Sequence, residues 1–164
     1  MNLFLDLDGV SADFNEWHFR RFGRDAFRNH EDDVDWKVIK EAGNIYADMK
    51  PLPDFPILWE YSKKFNPIII TGIPNSIPEH ANYKRSWIDR HMGEHVPMIA
   101  CLSKEKSKFA TRGSVIIDDW PKYRKFWEDK GGIWIHHENA KSSVEQLQEI
   151  VRRGKSWSYQ KPSF

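Results

Sequence analysis

Leu3-Phe4-Leu5-Asp6-Leu7-Asp8-Gly9 near the N-terminus and Val115-Ile116-Ile117-Asp118-Asp119 far downstream share one pattern: a short apolar run that stops at a pair of acids. Short continuous runs of Leu, Ile and Val read as strands buried on both faces of a parallel sheet. Pro67–Ile70 and Ile133–Ile135 are further runs of this kind, and Met98–Leu102 is a weaker fifth. Helical periods lie between them. Ala81, Lys84, Trp87, Ile88, His91 and Met92 share one face, with Pro78 placed for a first turn and Gly93 for the stop. Pro121 opens a predicted helix with Tyr123, Phe126 and Trp127 on one side, ended by Gly131-Gly132. Ser142-x-x-Glu145 reads as a capping box before Val144, Leu147, Ile150 and Val151, with Gly154 as terminator. Asp54 before Pro56 is placed to cap a helix carrying Leu58, Tyr61, Ser62 and Phe65.

Strands alternating with helices predict an α/β fold, a Rossmann-like parallel sheet flanked by helices. One interval breaks the alternation. About 65 residues separate Asp6 from Thr71, twice what a single crossover helix needs. Asn29–Asp35 is a polar, acidic break, after which Trp36, Ile39, Ile45, Tyr46 and Met49 recur at roughly helical spacing. A small helical cap is therefore expected over about residues 15–50, inserted after the first strand. The expected organisation is one domain over 1–154, with a core of about 1–14 and 51–154, and an aperiodic tail at 155–164.

Composition narrows the classes of function. The 164 residues carry 25 Lys+Arg against 24 Asp+Glu, a net charge of +1. That balance argues against a dedicated nucleic-acid or membrane-surface binder. The single cysteine, Cys101, excludes an internal disulfide and a Cys-rich zinc site. No apolar run approaches the ~18 residues of a membrane span, and no basic stretch precedes an apolar one at the N-terminus. A cytoplasmic protein is the expectation.

Ligands of open α/β sheets bind beyond the carboxyl ends of the strands. The residues expected there are Asp6, Asp8, Thr71, Gly72, Asp118 and Asp119. Four convergent carboxylates repel one another unless they hold a hard cation such as Mg²⁺. The same set can do chemistry on phosphorus. An aspartate can attack as a covalent nucleophile. A carboxyl two residues on can protonate the leaving oxygen and then deprotonate water. Thr71 offers a hydroxyl and backbone N–H groups to a phosphate oxygen, and a lysine can neutralise the developing charge. Lys104, Lys106 and Lys108 are all close enough in sequence to supply it.

Asp6-Leu7-Asp8-Gly9-Val10, Ile68-Ile69-Ile70-Thr71-Gly72, a downstream lysine, and Val115-Ile116-Ile117-Asp118-Asp119 resemble, in order, the four motifs of the haloacid dehalogenase (HAD) superfamily of phosphohydrolases. Within it, Asp6 to Phe14, Pro51-Leu52-Pro53 and Lys84-x-x-Trp87-Ile88 look most like the 5′(3′)-deoxyribonucleotidase family. Ser11 stands where that family usually has Leu, and Thr71-Gly72-Ile73-Pro74 where it has Thr-Ser-Pro. The resemblance implies a HAD-like fold and a Mg²⁺-dependent phosphomonoesterase, with a small-molecule phosphomonoester, a nucleoside monophosphate, as substrate. It implies Asp6 as nucleophile and Asp8 as general acid/base, with Asp6, the Asp8 carbonyl and Asp119 or Asp118 at the metal. Thr71 and Gly72 would bind phosphate. The family's ten-residue spacing selects Lys108 as the catalytic lysine, with Lys106 next. Phe14 would stack on the nucleobase, with Trp36 and Tyr46 as further candidates for the same wall.

Three other readings are set against this one. A phosphatase for another small phosphoester, or for a polynucleotide 3′-phosphate end, would use the same acids. A phospho-accepting signalling domain gathers similar residues but places its acid pair first and its acceptor later, the reverse of the order here. A binding module built on the eight tryptophans and the Arg20–Arg28 stretch has no use for the acid set.

Overall fold

The computed structural model describes residues 1–23 and 36–158, and side chains up to residue 154. The acidic break at Asn29–Asp35 lies outside the described residues. Five strands form one parallel sheet: β1 Leu3–Leu5, β2 Ile68–Gly72, β3 Met98–Cys101, β4 Val115–Asp118 and β5 Ile133–His136. Their order is β3-β2-β1-β4-β5. The chain builds from β1 outward through β2 to β3, then crosses back to lay β4 on the other side of β1. That reversal opens a crevice beside the end of β1, where α/β sheets take their ligands. The register Leu5↔Ile117 sets Asp6 alongside Asp118.

Alternation along the strands sends side chains to two cores. Leu3, Leu5, Ile69, Val115, Ile117 and Ile135 join the larger cluster with Leu58, Trp87, Ile88 and Leu147. Phe4, Ile70, Ile116 and Trp134 form the smaller one around Trp127. The helices over these faces are α3 Phe55–Ser62, α4 His80–His91, α5 Arg124–Glu128 and α6 Ala140–Ser158. Between β1 and β2 the chain makes its excursion, with α1 Phe14–Phe22 and α2 Trp36–Glu41. Its two ends are zipped together: Asp13 N–H donates to Lys50 C=O at 2.8 Å, and Leu52 N–H to Ser11 C=O at 2.9 Å. The excursion thus leaves and rejoins the core at adjacent points. Among the described residues, no helix is long and apolar enough to cross a membrane.

Helix ends depart from the expectations. Asp54 does not cap α3; its Oδ2 accepts the N–H of Ala140, at the start of α6, at 2.6 Å. Asn139, not Ser142, caps α6, accepting Ser142 N–H at 2.8 Å. Gly154 does not stop that helix, which runs on to Ser158. Pro121 begins a 3-10 turn, Pro121–Tyr123, and only then α5. Of that segment Trp127 is buried while Phe126 is exposed, because five helical residues present too narrow a face to bury both.

Losing a side-chain acceptor at a helix N-terminus costs about 0.5–2 kcal/mol. Asn139→Ala and Asp54→Ala should each lower the unfolding free energy by that amount. Ser142→Ala should change it by less than about 0.5 kcal/mol, as surface substitutions usually do. Urea unfolding of the three variants checks the assignment.

Candidate active site

The site is assembled from both faces of the sheet at the carboxyl ends of β1, β2 and β4. Asp6 follows β1 and is buried, at 7% exposure. Its Oδ1 accepts the Leu7 N–H at 2.8 Å and lies 2.9 Å from the Lys106 ammonium. The same ammonium donates to Asp118 Oδ2 at 2.7 Å, and Asp118 Oδ1 accepts the Trp120 N–H at 2.8 Å. Asp119 completes the group: one oxygen from each of Asp6, Asp118 and Asp119 lies within 4.8 Å of the others. Gly9, at φ +75°, sits against the Asp119 carboxylate, and a Cβ there would collide with it. Only glycine tolerates both that dihedral and that approach.

Lys106 comes from the 3-10 segment Ser103–Phe109 after β3 and is 5% exposed. Lys108 is not the site lysine. Its side chain is 68% exposed and pairs with Glu105 at 2.6 Å. A 3-10 segment turns once in three residues, so lysines at alternate positions point in different directions. Thus Lys106 turns inward while Lys108 faces solvent.

Asp8 stands apart from this triad. Its Oδ2 accepts from Lys84 Nζ at 2.6 Å, and the Tyr46 hydroxyl lies 2.9 and 3.0 Å from its two oxygens. Lys84 also donates to Thr71 Oγ1 and to the Gly72 carbonyl, both at 2.8 Å. Thr71 is fully buried, and a Cβ on Gly72 would strike the Ser103 hydroxyl. The structure therefore makes two groups at these strand ends: Asp6, Asp118 and Asp119 around Lys106, and Asp8, Thr71 and Gly72 around Lys84.

It separates the aromatic wall. Phe14 is 3% exposed and packs in the core against Trp17 and His18, so it presents no open ring face to a base. Trp36 is exposed. Tyr46 is buried and turns its hydroxyl, not its ring face, to Asp8. Lys84 is the residue that sequence reasoning passed over. The available signal was a lysine in the middle of the apolar stripe Ala81–Trp87–Ile88, since a charge buried there requires partners.

Electrostatics fit a cation. Burial, then Asp118 and Asp8, push the Asp6 carboxyl up to about 7, against the lowering by Lys106 and Lys84. Burial and the charges of Asp6 and Asp118 raise Asp119 well above the usual carboxylate range. Burial pulls the Lys106 ammonium down, but Asp6 and Asp118 more than offset it and hold it above its ordinary value. Four carboxylates face two ammoniums, leaving a formal deficit that one divalent cation cancels. The donors are all oxygen, which suits a hard ion such as Mg²⁺. No protein family's sequence model matches the chain, and no curated protein matches it.

Breaking a buried ion pair typically costs roughly 3–5 kcal/mol. Lys106→Met should show such a loss on chemical unfolding, and Lys108→Ala should stay within about 0.5 kcal/mol of the parent.

The raised Asp6 carboxyl has a definite sign. The folded state holds that proton up to about pH 7, whereas the unfolded chain releases it near 3.8. Its stabilising contribution is complete below the lower value and is lost as pH rises through the upper one. In metal-free buffer, wild type should therefore lose ground to Asp6→Asn between about pH 4 and pH 7. Unfolding free energies of the pair across that range measure it; a constant difference contradicts it.

Proposed function

We propose that this protein is a Mg²⁺-dependent phosphomonoesterase that works through an aspartyl-phosphate on Asp6. The observation that supports it most is the shared ammonium: Lys106 touches Asp6 and Asp118 at once, beside Asp119, at the mouth of the central strands. Asp8 and Thr71 stand beside this group, joined by Lys84. The motif resemblance to HAD phosphohydrolases supports the same reading.

Asp6, Asp119 and Asp118, with the Asp8 carbonyl, would hold the metal. Bound there, Mg²⁺ offsets the repulsion between the carboxylates and the phosphate oxygens. The remaining roles belong to the chain. Lys106 and the Leu7 N–H fix the plane of the Asp6 carboxyl through Oδ1, and an Asp6 oxygen forms the new bond to phosphorus. The ester P–O bond breaks, and its oxygen takes a proton from Asp8. Asp8 then removes a proton from water as that water attacks the aspartyl-phosphate. Phosphate leaves and Asp6 is restored. Lys106 balances the charge that develops on the transferring group.

A nucleoside monophosphate is the substrate the resemblance favours. A second reading, a phosphatase for another small phosphoester, is favoured by one observation: the Phe14 ring is closed within the core.

A phosphate-release screen over nucleotides and sugar phosphates, with and without Mg²⁺, tests the proposal and separates the two substrates. Asp6→Asn should remove turnover by roughly three orders of magnitude or more, because an amide cannot attack phosphorus. A folded Asp6→Asn protein with near wild-type, Mg²⁺-dependent release would overturn the mechanism.

A further inference from the structure

Asp8 is held from two directions. From the core, Lys84 donates to its Oδ2 at 2.6 Å. An ammonium has three protons, and those of Lys84 are all engaged, by Asp8, Thr71 Oγ1 and the Gly72 carbonyl. Lys84 thus ties the loop after β1 to the end of β2, and at 3% exposure it cannot swing to solvent. From the inserted segment, the Tyr46 hydroxyl lies between the two carboxylate oxygens, 2.9 Å from one and 3.0 Å from the other.

Tyr46 is itself fixed by α4, the helix that carries Lys84. Arg90 Nη2 donates to the Tyr46 carbonyl at 2.7 Å, and His80 meets the Tyr46 ring edge-to-face at 5.8 Å. Trp87 Nε1 donates to the Met49 carbonyl at 2.8 Å, pinning the same arm further along. Asp8 keeps 23% of its side chain exposed. Its Oδ1 is free of the lysine and accepts only from Tyr46 among the bonds described.

We propose that Tyr46 is a positioning residue for Asp8: its hydroxyl fixes the plane of the carboxyl so that Oδ1 meets the leaving oxygen of the substrate. The assignment rests on the phosphomonoesterase reading. It makes a chemical distinction that a packing role does not. A phosphate ester of a primary alcohol needs its leaving oxygen protonated as the P–O bond breaks. The p-nitrophenolate group departs without a proton. A misaligned acid therefore slows the first ester and spares the second.

The test is kcat/KM for a primary alkyl phosphate and for p-nitrophenyl phosphate, with saturating Mg²⁺, because kcat/KM reports the steps up to P–O cleavage. Tyr46→Phe keeps the buried ring and deletes only the hydroxyl. It should lower the alkyl ester by roughly 10- to 100-fold, below the full worth of a general acid. The aryl ester should change by less than about 3-fold, because its leaving group needs no general acid. Arg90→Met keeps the phenol but removes its backbone anchor, and it should move the ratio in the same direction if Tyr46→Phe does not fold. An equal loss on both esters, or none on either, would overturn the role of Tyr46 while leaving the phosphatase reading standing. Wild type that hydrolyses neither ester and releases no phosphate from any nucleotide or sugar phosphate overturns that reading, and this assignment with it.

Discussion

The arrangement hangs on one ammonium. Lys106 lies within 3 Å of both Asp6 and Asp118, with the third carboxylate, Asp119, close by. Buried like charges at this separation repel strongly, and no rearrangement of the strands would relieve them. The parallel register that aligns Leu5 with Ile117 is the same register that places Asp6 beside Asp118. A sheet that packs well therefore creates a cluster that repels, and a cation must be delivered to it. The 3-10 segment after β3 makes the delivery, passing so close to β2 that Gly72 has no room for a Cβ beside Ser103.

The second lysine repeats this logic on the opposite face. Lys84 rises from α4 among Trp87 and Ile88 and meets Asp8, Thr71 and Gly72. Alternation places Asp118 on the side of Ile116, where Lys106 reaches it. Each lysine is buried only because oxygen atoms satisfy its protons, and each set of oxygens is tolerable only because a lysine sits among them. Such mutual dependence makes a polar cluster specific in geometry, since removing either side leaves a buried charge uncompensated.

What was legible in the sequence follows from this physics. Strands buried on both faces must be continuously apolar, so Leu3–Leu5, Ile68–Ile70 and Val115–Ile117 announced themselves, and the acids that end them fell at strand ends. The partner cations did not. Lys104, Lys106 and Lys108 differ only in which way a short 3-10 turn faces, and composition carries no record of that. Tyr46 looked like wall material because an aromatic residue in an insertion says nothing about where its hydroxyl points. The helix caps failed for a related reason. Asp54 stands at the start of its own helix yet serves Ala140, far along the chain, and local patterns cannot register a tertiary partner. Phe14 opens α1, but the fold turns it into the core rather than toward the crevice.

The lysines also break the symmetry of the carboxylates they touch. Asp6 has its Oδ1 taken by Lys106 and the Leu7 N–H, so its two oxygens are no longer equivalent. Asp8 has its Oδ2 loaded by Lys84 while Tyr46 spans both oxygens. A carboxylate in water offers either oxygen in any orientation. Here each is left with one less encumbered oxygen in a fixed plane, at the end of the strand where the crevice opens. Preorganisation of this kind removes orientational freedom before a substrate arrives. Two residues so close in sequence, Asp6 and Asp8, thus stand in different settings: they share a loop, but they answer to different lysines on different faces of the sheet.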